Sequence, residues 1–177
     1  MNPDPFSFRV VANDVPREGR RYHIEADAEE RRRLADALGI PEVAALEADL
    51  EVRPVGGQSL AVRGALKASV VQNCVVTLEP FSQEVAEAID LTLMRAEAGP
   101  PGLRGGEVLI DAFEPDGPDL FHHGRIDLGI IVAEHLALGL DPYPRAPGID
   151  FSGHLEDDSA ADPSPFATLA RLNKTNE

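Results

Sequence analysis

Leu60 to Leu78, LAVRGALKASVVQNCVVTL, is the stretch whose reading decides the fold. Leu60, Val62, Leu66, Ala68, Val70, Cys74, Val76 and Leu78 fall on one parity, while Arg63, Lys67, Ser69, Asn73 and Thr77 fall on the other. This period of two is that of a strand with one face in a core and one in water. So long a strand is expected at the centre of a sheet, bent at Gly64 or near Gln72, where it serves two parts of a curled surface.

Both sequence neighbours pair with it. From Ala44 to Pro54, Ala44, Leu46, Ala48, Leu50 and Val52 alternate with Glu47, Asp49, Glu51 and Arg53, and Gly56-Gly57 marks the turn. Charge selects the register. A three-residue loop, Gly56-Gly57-Gln58, sets Val55 against Ser59, Glu51 against Arg63 and Glu47 against Lys67, with both apolar faces together. After Leu78, Glu79-Pro80-Phe81-Ser82 turns the chain, and Val85, Ile89, Leu91 and Leu93 continue as a third antiparallel strand. Gln72 and Glu87 interrupt the inward rows, at a site or at a wet sheet end.

Earlier in the chain, Phe6 to Ala12 (FSFRVVA) and Arg21 to Ala26 read as short strands around the turn Pro16 to Arg20. Asp27 opens a helix over 28–38, with Glu30 completing a capping box and Gly39 and Pro41 ending it. A second helix, 127–138, carries Leu128, Ile131, Val132 and Leu136 at helical spacing. Ala96 to Gly106 reads as a Gly/Pro-rich loop, Val108 to Ile110 as a short strand completing the sheet, and Gly153 to Pro163 as an acidic tail. Ser164-Pro165 then starts a terminal helix with Phe166 and Leu169 on one side. The expected architecture is α+β, an antiparallel curved sheet or partial β-barrel covered by two or three helices. Residues 1–150 form one domain and 151–177 an acidic tail with its short helix.

The chain has 16 Lys+Arg against 31 Asp+Glu, a net charge of −15. Residues 1–70 hold 10 basic and 12 acidic residues, leaving 6 and 19 for 71–177, so the second half carries −13. Nucleic-acid binders show the opposite sign, so this half suits a basic partner, or is simply an acidic soluble surface. The single cysteine, Cys74, excludes an internal disulfide and fits a reducing compartment. No signal pattern or long apolar run is present, so the expected location is cytoplasmic, with no membrane association.

Chemistry-bearing patterns are few. Adjacent His122 and His123 project apart, and His135 falls inside the apolar face of its helix as a hydrogen-bonded histidine. Cys74 reads as a small buried hydrophobe. Arg31, Arg32 and Arg33 are either a nucleic-acid patch or a solvated helix face paired with Glu29 at i,i+4.

Cys74-Val75-Val76-Thr77-Leu78-Glu79-Pro80-Phe81, followed by IDLGIIVAEHLALGLDPYPR over 126–145, resembles the YceD family, the large ribosomal RNA subunit accumulation proteins of bacteria and plastids. The signals are Cys74 with Leu78, Glu79 and Pro80, then Ile126-Asp127-Leu128 with Glu134 and Leu136. The resemblance implies a role in synthesis, processing or stability of large-subunit ribosomal RNA, with no assigned catalytic residue and no cofactor. Many members carry Cys-x-x-Cys at this strand end and further cysteines near the C-terminus, which implies metal binding in them. Thr77 replaces the second cysteine here, and Pro142 to His154 has none, so a tetrahedral cysteine site cannot form in this chain.

The resulting expectation is a non-enzymatic ribosome-biogenesis factor. Its acidic segment, including Asp111, Glu114, Asp116 and Asp119, engages a basic ribosomal protein or rRNA-processing factor, as does the tail. Arg17, Arg20, Arg21 and Arg31 to Arg33 make any contact with large-subunit rRNA, and Phe166 and Leu169 form a docking face. Two other classes stand beside it. One is a small hydrolase-type enzyme using Asp111, His122 or His123, or a pocket where Gln72, Glu87 and His135 converge. The other is an acidic interaction module unrelated to ribosomes.

Overall fold

The computed structural model describes residues 5–56, 58–96 and 119–149. Three long strands dominate: β3 (Glu42–Gly56), β4 (Ser59–Asn73) and β5 (Pro80–Arg95). The other elements are β1 (Arg9–Val11), β2 (Arg20–Glu25), helix α1 (Ala28–Leu38), β6 (Asp119–Phe121), β7 (Arg125–Asp127) and helix α2 (Leu128–Gly139). Five strands form one sheet in the order β2-β3-β4-β5-β6, and β1 and β7 form a separate antiparallel pair.

The inward row of β4 has the expected composition: Leu60, Val62, Leu66, Ala68 and Val70 are buried. They meet Leu46, Ala48, Leu50 and Val52 of β3 and Val85, Ile89 and Leu93 of β5 in one core, with Leu34 of α1 and Leu128, Val132 and Leu136 of α2. Helix α1 packs on β3, and α2 packs on β5 and β4. At Gly64 the backbones approach so closely that a Cβ would lie 2.0 Å from the Asp49 carbonyl oxygen. Only glycine fits there.

The charge-selected register holds, with Glu51 opposite Arg63 and Glu47 opposite Lys67. Loop geometry differs. Ser59 pairs with Gly56, and the register shift between Pro54 and Gly56 leaves Val55 without the expected place opposite Ser59. Gly56 and Gln58 take left-handed conformations, φ 93° and 65°, so a bulge next to a tight turn achieves what a longer loop was expected to do.

Two further expectations are corrected. The sheet is mixed, because β6 runs parallel to β5, and among the described residues β2 and β6 remain as edges, so no closed barrel forms there. Two α-helices occur among the described residues, within the two or three expected, together with a 3-10 helix at Ala12–Asp14. Finally, β4 stops at Asn73. The Cys74 amide donates to the Glu79 carbonyl, the Leu78 amide donates to the Cys74 carbonyl at 2.8 Å, and Leu78 is left-handed, with φ 62°. Residues 74–79 therefore form the turn, and Pro80 to Ser82 already belong to β5. Of the three apolar residues that extended the alternation, Cys74 is buried while Leu78 is 78% exposed. The short strand expected at Val108 to Ile110 and the terminal helix from Ser164 lie outside the described residues.

Asp127 joins the small strand pair to the rest. Its Oδ1 accepts from the backbone amides of Phe8 (2.8 Å), Gly129 (3.0 Å) and Ile130 (3.4 Å). Its Oδ2 accepts from Ser7 Oγ (2.5 Å) and Arg9 Nε (3.4 Å). One carboxylate thus caps α2 and holds β1 against it. The next residue but one allows the approach, since a Cβ on Gly129 would come 2.6 Å from the Phe8 nitrogen.

Candidate functional site

The six arginines expected to act together are split by the fold. Arg20 and Arg21 open β2, where they face Val52 and Glu51, and Arg17 is exposed in the preceding loop. Arg31 to Arg33 lie on α1, beyond the other end of β2. There Asp27 forms the expected capping box, its side chain accepting from the Glu29 and Glu30 amides while the Glu30 carboxylate accepts from the Asp27 amide. Those hydrogen bonds, first that from Glu30, hold the Asp27 carboxyl below its usual range. Arg31 Nη1 is engaged by the Ala26 carbonyl at 2.7 Å, and Arg33 Nε is buried. Only Arg32 of the three is exposed, so α1 does not present a three-arginine face.

The β2 arginines instead join three that sequence spacing did not group. Arg53 ends the charged row of β3 and donates from Nη2 to the Glu18 carbonyl at 3.1 Å. It also lies 3.6 Å from Glu51, whose other oxygen is 3.8 Å from Arg21. Arg95 closes β5 and Arg125 opens β7 at the same end of the sheet, where the Ala12 amide donates to the Gly124 carbonyl and the Arg95 amide to the Gln58 carbonyl. Arg95 Nη2 donates to Asn13 Oδ1 at 2.9 Å, and its guanidinium sits 5.7 Å from the Phe121 ring centroid. Among the described residues, Arg17, Arg20, Arg95 and Arg125 have no carboxylate partner.

The opposite flank is acidic. Residues 72–94 and 126–144 contain no Lys or Arg but include Glu79, Glu84, Glu87, Asp90, Asp127, Glu134 and Asp141; of these Asp90 pairs with Arg63 and Asp127 with Arg9, and exposed Arg145 borders the segment. Val75, Leu78, Leu138 and Tyr143 are exposed apolar side chains at its tip. The Val75 amide donates to the Pro144 carbonyl, which fixes the 74–79 turn beside the segment that follows α2. Of the expected acidic residues, Asp119 is exposed on β6 next to the arginine end. Asp111, Glu114 and Asp116, like Phe166 and Leu169, lie outside the described residues.

Asp111 lies outside the described residues, and the other side chains considered for catalysis are each engaged at a different place. Gln72 is buried and donates to the Asp141 carbonyl at 3.2 Å, while Glu87 packs where a Cβ on Gly139 would stand 2.7 Å from its Cγ. His135 is half-buried, with Nδ1 2.9 Å from the Ile131 carbonyl oxygen. His122 and His123 line different cavities.

Cys74 is more than a buried hydrophobe. The Thr77 hydroxyl, then the backbone amides of Ala146, Thr77 and Val76, donate to its sulfur and bring the thiol down to about 7, against the opposing effect of burial. This donor set does not fit a metal. Thr77 offers a hydrogen-bond donor where a second thiolate would be required, and no group of three His, Cys, Asp or Glu residues with metal-binding spacing occurs among the described residues.

These features define a small α+β protein built on a long-stranded, mostly antiparallel sheet. No described helix is long and apolar enough to cross a membrane. A family model described as large ribosomal RNA subunit accumulation protein YceD matches residues 62–173, and the chain belongs to this family. Neither a curated protein nor a solved structure matches the chain. Within the matched span lie the Cys74 turn, the Asp127 node and the whole acidic flank.

Proposed function

We propose that the chain supports the accumulation of large-subunit ribosomal RNA as a non-catalytic binding factor. It holds a basic ribosomal protein or processing factor against its acidic flank and touches RNA with its arginine-bearing end. The observation that carries this reading is the segregation of charge. Residues 72–94 and 126–144 hold seven acids and no Lys or Arg; with Asp90 paired to Arg63 and Asp127 to Arg9, it is Glu79, Glu84, Glu87, Glu134 and Asp141 that repel phosphate and attract lysine- and arginine-rich protein segments. The exposed Val75, Leu78, Leu138 and Tyr143 give such a partner apolar anchors within the acidic surround.

Sedimentation of the native protein in cell lysate tests this reading. The protein is expected with free large ribosomal subunits or their precursors, and raised salt releases it because the contacts are electrostatic. Migration entirely at the top of the gradient at low salt would overturn the proposal.

A further inference from the structure

We infer that the cavity bounded by β1, the start of β4, the end of β5 and the β6–β7 turn is a phosphate-binding site for a single-stranded RNA backbone, with Arg95 and Arg125 as its cations. This rests on the RNA contact proposed above and moves its centre to residues outside the arginine runs. The cavity measures about 620 Å³, and Asn13, Gln58, Arg95, His123 and Arg125 contribute to its lining. That volume admits a nucleotide unit.

Arg95 is held in place before any ligand arrives. Asn13 Oδ1 accepts from Nη2 at 2.9 Å, the Phe121 ring lies beneath the guanidinium, and Nε is buried without a hydrogen-bond partner. On the other side, a Cβ on Gly124 would lie 3.4 Å from Nη2, so backbone rather than a side chain forms that wall. A neutral amide and an aromatic ring orient the group without cancelling its charge. Arg125 is exposed and also lacks a carboxylate partner among the described residues. Asp119 faces the adjoining cavity of about 410 Å³ that Arg125 also borders.

In a chain of net charge −15, two guanidiniums that lack a carboxylate partner among the described residues and line one cavity favour an oxyanion whose paired oxygens accept from a planar guanidinium, such as a phosphodiester. The surrounding negative field limits the contact to a short stretch of strand. Two phosphates neutralised on a single strand correspond to a slope of log K against log salt of about −1.4.

The test is fluorescence anisotropy of the full-length protein with a labelled ten-nucleotide oligouridylate, with inorganic phosphate and uridine monophosphate as competitors. The wild type is expected to bind with that shallow slope, and Arg125→Gln and Arg95→Gln each to weaken binding about tenfold and halve the slope. Arg32→Gln on α1 leaves binding unchanged. Circular dichroism of Arg125→Gln, an exposed position, verifies that its fold is intact. Competition by uridine monophosphate at concentrations equal to the oligonucleotide would reassign the site to a free nucleotide and overturn the RNA assignment. So would undetectable wild-type binding at low salt, or binding by both variants as tight as that of the wild type. If the RNA contact fails while the protein still sediments with large subunits, the site falls and the protein-binding part of the proposed function stands. Arginine-dependent RNA binding without cosedimentation gives the reverse.

Discussion

Replacing Asp127 by alanine should cost the protein about 3–4 kcal/mol. The carboxylate caps α2 through the Gly129 and Ile130 amides, and loss of a cap costs ~1 kcal/mol. It also accepts from the Phe8 amide and Ser7 Oγ, at 2.8 and 2.5 Å, and hydrogen bonds to a charged group are worth roughly 1.5 kcal/mol or more each. Arg9, 65% exposed, adds little. For a chain of this size each kcal/mol moves Tm by roughly 2–4 °C, so Asp127→Ala should melt about 6–16 °C below wild type. Asp127→Asn retains an acceptor at Oδ1 and loses only the charge facing Ser7 and Arg9, so roughly 1–2 kcal/mol is expected. Urea unfolding followed by circular dichroism measures both. If alanine costs less than about 0.5 kcal/mol, or if asparagine costs as much as alanine, Asp127 is not the clasp between β1 and α2.

Three other outcomes follow from particular contacts. Gly64→Ala places a methyl group 2.0 Å from the Asp49 carbonyl oxygen, so a loss of at least about 3 kcal/mol, or insoluble expression, should appear in the same urea assay. The Cys74 thiol should titrate near 7 by absorbance at 240 nm, and Thr77→Val should move that transition upward. Because folding lowers this pKa from the ordinary 9.0 to about 7, the thiolate's contribution to stability is complete above about pH 9 and disappears as pH falls through 7. Asp27 is also lowered from 3.8, so the stability gap between wild type and Asp27→Ala should be full above pH 4 and close as acid protonates the cap.

Much of the sheet could be read from local pattern because adjacent strands in a hairpin obey short-range rules. Glu47 and Glu51 chose Lys67 and Arg63 as partners through charge alone, and Asp27 with Glu30 and Gly39 marked both ends of α1. Pattern failed at Cys74. Val76 and Leu78 continue the alternation, but the strand ends at Asn73 and the chain turns back through left-handed Leu78, a backbone state that apolar periodicity does not encode. Topology hid the arginine end as well. Arg95 and Arg125 are widely separated in sequence and line one cavity only because β5 ends where β7 returns to pair with β1. The runs Arg20-Arg21 and Arg31-Arg33 drew attention by adjacency, although the length of β2 keeps them apart.

Family membership and charge segregation together make large-subunit RNA accumulation the central claim. The direct measurement is the ratio of large- to small-subunit ribosomal RNA in cells depleted of this protein, with re-expression of the wild type as control. A fall in that ratio, restored by re-expression, is predicted. An unchanged ratio under complete depletion would contradict the account.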